Sequence, residues 1–177
     1  MTRTFAARFN RMYGVDYFKE PVAYNFGNEL VKVPGLDGSG KMSKSEGESA
    51  TIYLIDDASV LKKKIMRAKT DAGPQAPNSP KSPEIENLFS LLRLVGKEET
   101  VKEFEARYAD CSIRYGDLKK QLAEDMEAFL APIRERIKEV EADDIYLSRI
   151  AREGSEKARE SARKTINEVR EIIGFHS

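Results

Sequence analysis

Between Gly35 and Gly47 the chain reads Gly-Leu-Asp-Gly-Ser-Gly-Lys-Met-Ser-Lys-Ser-Glu-Gly, which sets Lys41 and Lys44 three residues apart among glycines and hydroxyls. Glycine permits positive φ and lets backbone N–H groups come close to a ligand. Two cations on such a loop can reach one polyanion from two sides, so the chemistry this tract suits is the holding of phosphates. Gly35 to Lys41 fits the opening of a P-loop, G-x-x-x-x-G-K. That motif next needs Ser or Thr for magnesium and a helix whose N-terminus points at the phosphates. Met42 stands at the metal-ligand position, and Gly47 leaves little room for a helix directly after the lysine. The P-loop reading is therefore weak, whereas a surface loop without function leaves the lysine pair idle.

A second set of residues could do chemistry near the other end of the chain. At about 100° per residue, Arg149, Arg152, Arg159, Arg163 and Arg170 fall on one stripe of a helix, with Asn167 at its edge. Ala151, Ala158, Ala162, Val169 and Ile172 share another face. Guanidiniums beside an amide can hold phosphates and read bases, and alanines admit a close neighbouring helix. The competing reading is a solvated face laced by Glu153, Glu156 and Glu160 through i,i+3 and i,i+4 pairs.

The elements that must position these groups read as follows. Thr2 to Tyr13 predicts a helix with Phe5, Phe9 and Met12 on one side, stopped by Gly14. Val15 to Asn28 is aromatic and irregular. Glu29 to Val33 alternates as a strand does and ends at Pro34. One strand cannot make a sheet, so this opening predicts the tail of a parallel α/β domain. After the loop, Asp56-Asp57 can cap a helix from about Ala58 to Ala68, with Leu61, Ile65 and Ala68 inward and Lys62, Lys63, Lys64, Arg67 and Lys69 outward. Thr70 to Pro83 holds four prolines and reads as a connector. Ser82-Pro83-Glu84 starts a helix that buries Ile85, Leu88, Phe89, Leu92 and Val95 and stops at Gly96. Glu98 to Ala109 forms the next, using Val101, Phe104 and Tyr108. A long helix from about Asp117 to Val140 keeps Leu118, Leu122, Met126, Phe129, Ile133, Ile137 and Val140 on one side, with a bend expected at Pro132. The last, broken or bent at Gly154, runs to about Ile173.

With 30 basic and 30 acidic residues in 177, no overall polyanion-binding field is expected. Residues 98–144 hold 14 acidic and 8 basic side chains, a wall that should not face nucleic acid. Cys111 is alone, so no internal disulfide can form. No apolar run approaches a membrane span and no signal-peptide core opens the chain, which makes the cytoplasm the expected location.

Lys41-Met42-Ser43-Lys44-Ser45 resembles the KMSKS signature loop of class I aminoacyl-tRNA synthetases, and it follows a strand-like run as that family requires. The resemblance extends further. Asp56-Asp57, Lys62-Lys63-Lys64-Ile65, Thr70-Asp71, Tyr115-Gly116-Asp117-Leu118-Lys119 and Glu153 to Arg159 are similar to the segments that follow this loop in the tryptophanyl-tRNA synthetase family. So is the ending from Val169 to Phe175. The tyrosyl family stands second, since its loop and C-terminal architecture usually differ.

This resemblance implies a mainly α chain. Residues 1–50 would be the end of a dinucleotide-fold α/β catalytic domain, and residues 51–177 a helical tRNA-binding domain. It implies a reaction in which ATP and tryptophan form tryptophanyl-adenylate and pyrophosphate, followed by transfer to tRNA(Trp). Lys41 and Lys44 would contact the ATP phosphates, Ser43 and Ser45 would add hydroxyl donors, and Met42 would anchor the loop. Val33 would line the adenine pocket. Magnesium would come with ATP, with no dedicated protein ligands identified, and the parent would be a homodimer. Arg149, Arg152, Arg159 and Arg163 are the candidate RNA contacts.

The chain departs from the class I pattern in one respect. Its single histidine, His176, lies next to the end, so the histidine-containing phosphate motif is absent, and no stretch supplies an indole pocket. The expectation is a C-terminal portion of the ligase, inactive alone. The alternative is a stand-alone RNA-binding or ATP-binding module.

Overall fold

The computed structural model describes residues 1–24, 32–38, 41–43, 45 and 47–175. Among these residues the chain forms six α-helices and no strand, so the fold is mainly α. Most of the strand expected over Glu29–Val33 lies outside the described residues; Lys32 and Val33 are in neither helix nor strand.

Local chemistry sets the helix boundaries. Helix α1 (Thr2–Tyr13) ends at Gly14 in the left-handed conformation. Helix α2 (Ala58–Met66) starts where the Asp57 carboxylate accepts the Ser59 and Val60 N–H groups at 2.9 Å each. Helix α3 (Pro83–Val95) has proline in its first turn followed by Glu84 and Glu86, a sequence suited to the positive end of the helix dipole. It stops at Gly96, where a Cβ would stand 2.7 Å from the Leu92 carbonyl oxygen. Helix α4 is Glu98–Ala109. Helix α5 (Tyr115–Glu141) begins two residues before the expected Asp117 and runs on through Pro132. Helix α6 (Asp144–Ile172) is continuous through Gly154, so of the break or bend expected there the break is corrected. One glycine costs only about 1 kcal/mol, and a helix of 29 residues keeps it in register.

The chain divides into two compact units, residues 31–142 and residues 1–30 with 143–177. In residues 31–142 helices α2 and α3 each pack on α5, and α4 packs on α3. Leu61, Ile65, Ile85, Leu88, Phe89, Leu92, Leu118 and Leu122 are buried at the centre, with Phe104 and Tyr108 closing one side. Along α5 the buried row is Leu118, Leu122, Met126, Leu130 and Arg134, four residues apart each time. Phe129 leaves that row and is 49% exposed, contrary to its expected inward place. Each step of four drifts about 40° round the helix, so the buried row has moved away from the Phe129 side by the time it reaches Leu130 and Arg134.

In residues 1–30 with 143–177, Asn10 organises the turn after α1. Its Nδ2 donates to the Phe18 carbonyl at 2.8 Å and its Oδ1 accepts from Phe18 N at 3.0 Å. Phe9, Tyr17 and Phe18 stack edge to face around it, and Tyr17 Oη donates to Glu168 Oε2 at 2.7 Å. No residue of α6 is buried, so the alanine face expected against a neighbouring helix is exposed. Phe5 and Met12 on α1 are likewise 71% and 62% exposed.

Candidate functional site

The glycine–lysine loop grows out of the core of residues 31–142. Leu36 is its root. This residue is buried, its N–H donates to the Ala50 carbonyl, and its own carbonyl accepts from Lys69 N, each at 3.0 Å. The two ends of the loop are thus joined, and both are tied to the residues that follow α2. Inside that closure Met42 N donates to the Val33 carbonyl at 2.7 Å, and both side chains pack against the core. Gly38 has φ 87°, a conformation that side chains rarely adopt, and a Cβ there would press on the Glu84 side chain at 3.2 Å.

Lys41 projects exposed from this frame. Ser43 and Ser45 face each other with their hydroxyls 2.8 Å apart, and Ser45 N approaches Ser43 Oγ at 3.4 Å. Val33, Met42, Ser43 and Ser45 are therefore gathered into one turn with Lys41 at its edge. Lys44 lies outside the described residues. Behind the turn, Glu48, Ser49, Val60, Lys63, Lys64 and Arg67 line a cavity of about 270 Å³. Lys64 differs from its neighbours, because its Nζ is paired with Asp56 Oδ2 at 2.6 Å and lies over the Tyr53 ring. Its charge is neutralised within the fold, while Lys62, Lys63 and Arg67 remain on the exposed side of α2.

Two polar contacts beneath the loop are not evident from the sequence. Asp71 accepts from Tyr115 Oη at 2.6 Å and from Gly73 N at 2.8 Å. Burial works to raise the Asp71 carboxyl, but hydrogen bonds, those from Tyr115 and Gly73 among them, outweigh it and hold the group below its usual range. Burial, then the Asp71 partner, pushes the Tyr115 phenol up. Thr70-Asp71 and Tyr115-Gly116-Asp117 were recognisable as separate segments, and their meeting needs the tertiary fold. Lys119 is buried, and its Nζ donates to the Ala68 and Met66 carbonyls at 2.7 and 3.4 Å. Burial pushes this amine down. The ammonium holds the carbonyl of Met66, the last residue of α2, and that of Ala68 just beyond it, next to the residue that holds Leu36.

The arginine stripe belongs to the other unit. Arg149, Arg152, Arg159 and Arg163 are all exposed on α6. Arg149 and Arg152 line a groove of about 460 Å³ with Asp144, Ile145 and Ser148. Arg149 lies over the Tyr146 ring at 5.6 Å and stands 4.0 Å from Glu153. At 1.5 Å per residue, Arg159 begins about 10 Å further along the helix than Arg152, so the four form two pairs. No helix among the described residues is long and apolar enough to cross a membrane.

Comparison with known proteins agrees with this arrangement. Residues 1–131 match the family model described as tRNA synthetases class I (W and Y). A tryptophan–tRNA ligase of Porphyromonas gingivalis is 59% identical over 175 residues, covering 99% of this chain and 53% of that protein. One from Clostridium longisporum is 40% identical, covering 98% and 50%. The chain therefore spans about half the length of the curated relatives it matches. Among solved structures, the Campylobacter jejuni tryptophanyl-tRNA synthetase complexed with ADP and tryptophan superposes with a TM-score of 0.70 at 32% identity, covering 97% of this chain and 52% of that one. The likeness in sequence and in fold runs along nearly the whole chain, and it establishes that the chain belongs to the class I tRNA synthetases of the tryptophan and tyrosine group.

Proposed function

We propose that this chain is the portion of a tryptophan–tRNA ligase that carries the ATP-phosphate loop and the helical tRNA-binding region. The observation that carries the reading is the 59% identity to a tryptophan–tRNA ligase across 99% of the chain. ATP, tryptophan and tRNA(Trp) are the partners it calls for. The functional partition falls near residue 50, with the loop on the catalytic side.

In adenylation the tryptophan carboxylate oxygen bonds to the α-phosphorus, and the bond from that phosphorus to the bridging oxygen breaks. Pyrophosphate leaves with the electron pair. Negative charge therefore grows on the leaving phosphates during the displacement. Lys41 and Lys44 offset it best where it is largest, so they lower the barrier more than they tighten ground-state binding. Ser43 and Ser45 supply hydroxyl donors, and the contact of Met42 with Val33 holds the turn on the core. Magnesium, when present, adds charge neutralisation on the phosphates it arrives with. Among the described residues no group of three acidic, histidine or cysteine side chains gathers to hold an ion.

The test is tryptophan-dependent exchange of pyrophosphate into ATP by the full-length protein, run beside tyrosine. Exchange with tryptophan alone is expected. Exchange with tyrosine instead would move the assignment to the other branch of the family, and binding of ATP or RNA without any exchange would favour a stand-alone module.

A further inference from the structure

Thr51 is a buried hydroxyl in the apolar run after the loop, only 6% exposed. Its Oγ1 donates to the carbonyl of Ser43 at 3.0 Å, a backbone atom of the signature loop itself. Its own carbonyl accepts from Lys64 Nζ at 3.0 Å. Lys64 is gripped in turn by Asp56 at 2.6 Å, and the Asp56 carboxylate also accepts from Tyr53 N at 2.9 Å. The Lys64 and Asp56 side chains are 12% and 10% exposed, so water competes little for their bonds. A continuous polar relay, Asp56 to Lys64 to Thr51 to Ser43, therefore runs from the side of α2 to the centre of the loop.

Placement gives this relay a consequence for the loop. The Ser43 carbonyl stands two residues after Lys41 and directly before Lys44. Holding that one carbonyl restrains the loop backbone two residues beyond Lys41 and so narrows the conformations open to the signature turn. Ties such as those at Leu36 and Ala50 act on the ends of the loop, and that at Met42 on its near side. The Thr51 hydroxyl joins the core to the lysine-bearing turn beyond Met42.

We propose that Thr51, seated by the Lys64–Asp56 pair, is a positioning residue that orients Lys41 and Lys44 toward the phosphates of ATP. This inference rests on the phosphate-loop reading given above. The ammonium of Lys64 would otherwise belong to the cationic face of α2; here it stabilises the loop frame and takes no phosphate.

The test is a pair of variants, Thr51→Val, which keeps the shape and loses the hydroxyl, and Thr51→Ser, which restores it. In this chain, amide hydrogen exchange of residues 41–45 should quicken about fivefold in Thr51→Val, the measure of one net hydrogen bond. Exchange along α5 should stay unchanged, and Thr51→Ser should match the parent. In the full-length protein, Thr51→Val should lower kcat/KM for ATP about fivefold, again the measure of that one bond, while KM for tryptophan stays put. Unchanged loop exchange in Thr51→Val, a Thr51→Ser as fast as Thr51→Val, or loosened exchange with wild-type ATP kinetics would each overturn the proposal. Lys41→Ala separates the two readings. If that variant keeps full adenylation activity, the phosphate-loop reading fails, while the exchange data still report whether Thr51 holds the loop.

Discussion

At the scale of single residues, the loop lysines and the arginines differ in how their loss should show. Lys44→Ala in the full-length protein should slow adenylation by about a hundredfold, on the order of 3 kcal/mol, because it removes a charge that acts mainly in the transition state. Tryptophan affinity should hardly move. Single-turnover adenylation with an unchanged rate constant would count against placing this lysine on the phosphates. Arg159 and Arg163 are exposed, one turn apart, on a helix that buries nothing. Alanine at both should leave the fold intact. Affinity for tRNA(Trp) should fall, and its salt dependence should flatten by about one unit for each phosphate no longer neutralised. A base contact would appear as poorer discrimination among anticodon variants at an unchanged salt slope. If affinity, slope and discrimination all match the parent, the stripe is a solvated face.

At the scale of elements, the loop depends on how α2 is held by α5. Lys119 brings a buried ammonium from α5 to the carbonyls at and just beyond the end of α2, and the Lys69 N–H next along holds the Leu36 carbonyl. Lys119→Met leaves those carbonyls without their donor. It should destabilise the fold by about 1–3 kcal/mol, while Lys120→Met on the exposed side of the same helix should have little effect. Equal melting temperatures for the two variants would show that the cap carries no weight. Sequence periodicity placed α3 and α4 well because their apolar spacing agrees with the boundaries that Pro83 and Gly96 set. It misplaced Phe129 because a helix of 27 residues can hold several apolar rows, and only the partners of α5 select one. It overstated Gly154 because local propensity is weak against the cooperativity of a long helix.

At the scale of the whole molecule, the set of lowered carboxylates predicts the response to acid. Hydrogen bonds from Arg134 hold Glu127 below its usual range. Glu105 is held low too: burial opposes, and Lys81 and Arg93 outweigh it. Asp71 behaves likewise. For such groups the unfolded chain binds protons first on acidification, so their contribution is complete above the ordinary carboxylate pKa and is lost as pH falls through the folded values. Melting temperature should therefore drop steadily below about pH 4.5, and Glu105→Gln together with Glu127→Gln should flatten that decline. An acid limb as steep in the double variant would assign the loss to other groups. The 177-residue chain by itself should give no tryptophan-dependent exchange of pyrophosphate into ATP, since its sequence contains no histidine-containing phosphate motif; exchange well above blank would defeat that expectation. What the sequence determined alone was whatever rests on neighbours along the chain. The lysine–glycine loop, the Asp57 cap, the Pro83 start and the i,i+4 burial of Leu118 and Leu122 all depend on spacings of a few residues. What only the tertiary structure decided depends on residues far apart or on a turn that local patterns do not specify. Asp71 meets Tyr115 across 44 positions, Lys119 reaches Ala68 across 51, and the Thr51 hydroxyl finds a carbonyl 8 residues back. The alanine face of α6 followed the helical period and is nonetheless exposed. Periodicity fixes which side chains share a face, and only packing free energy, summed over distant partners, chooses whether that face is covered.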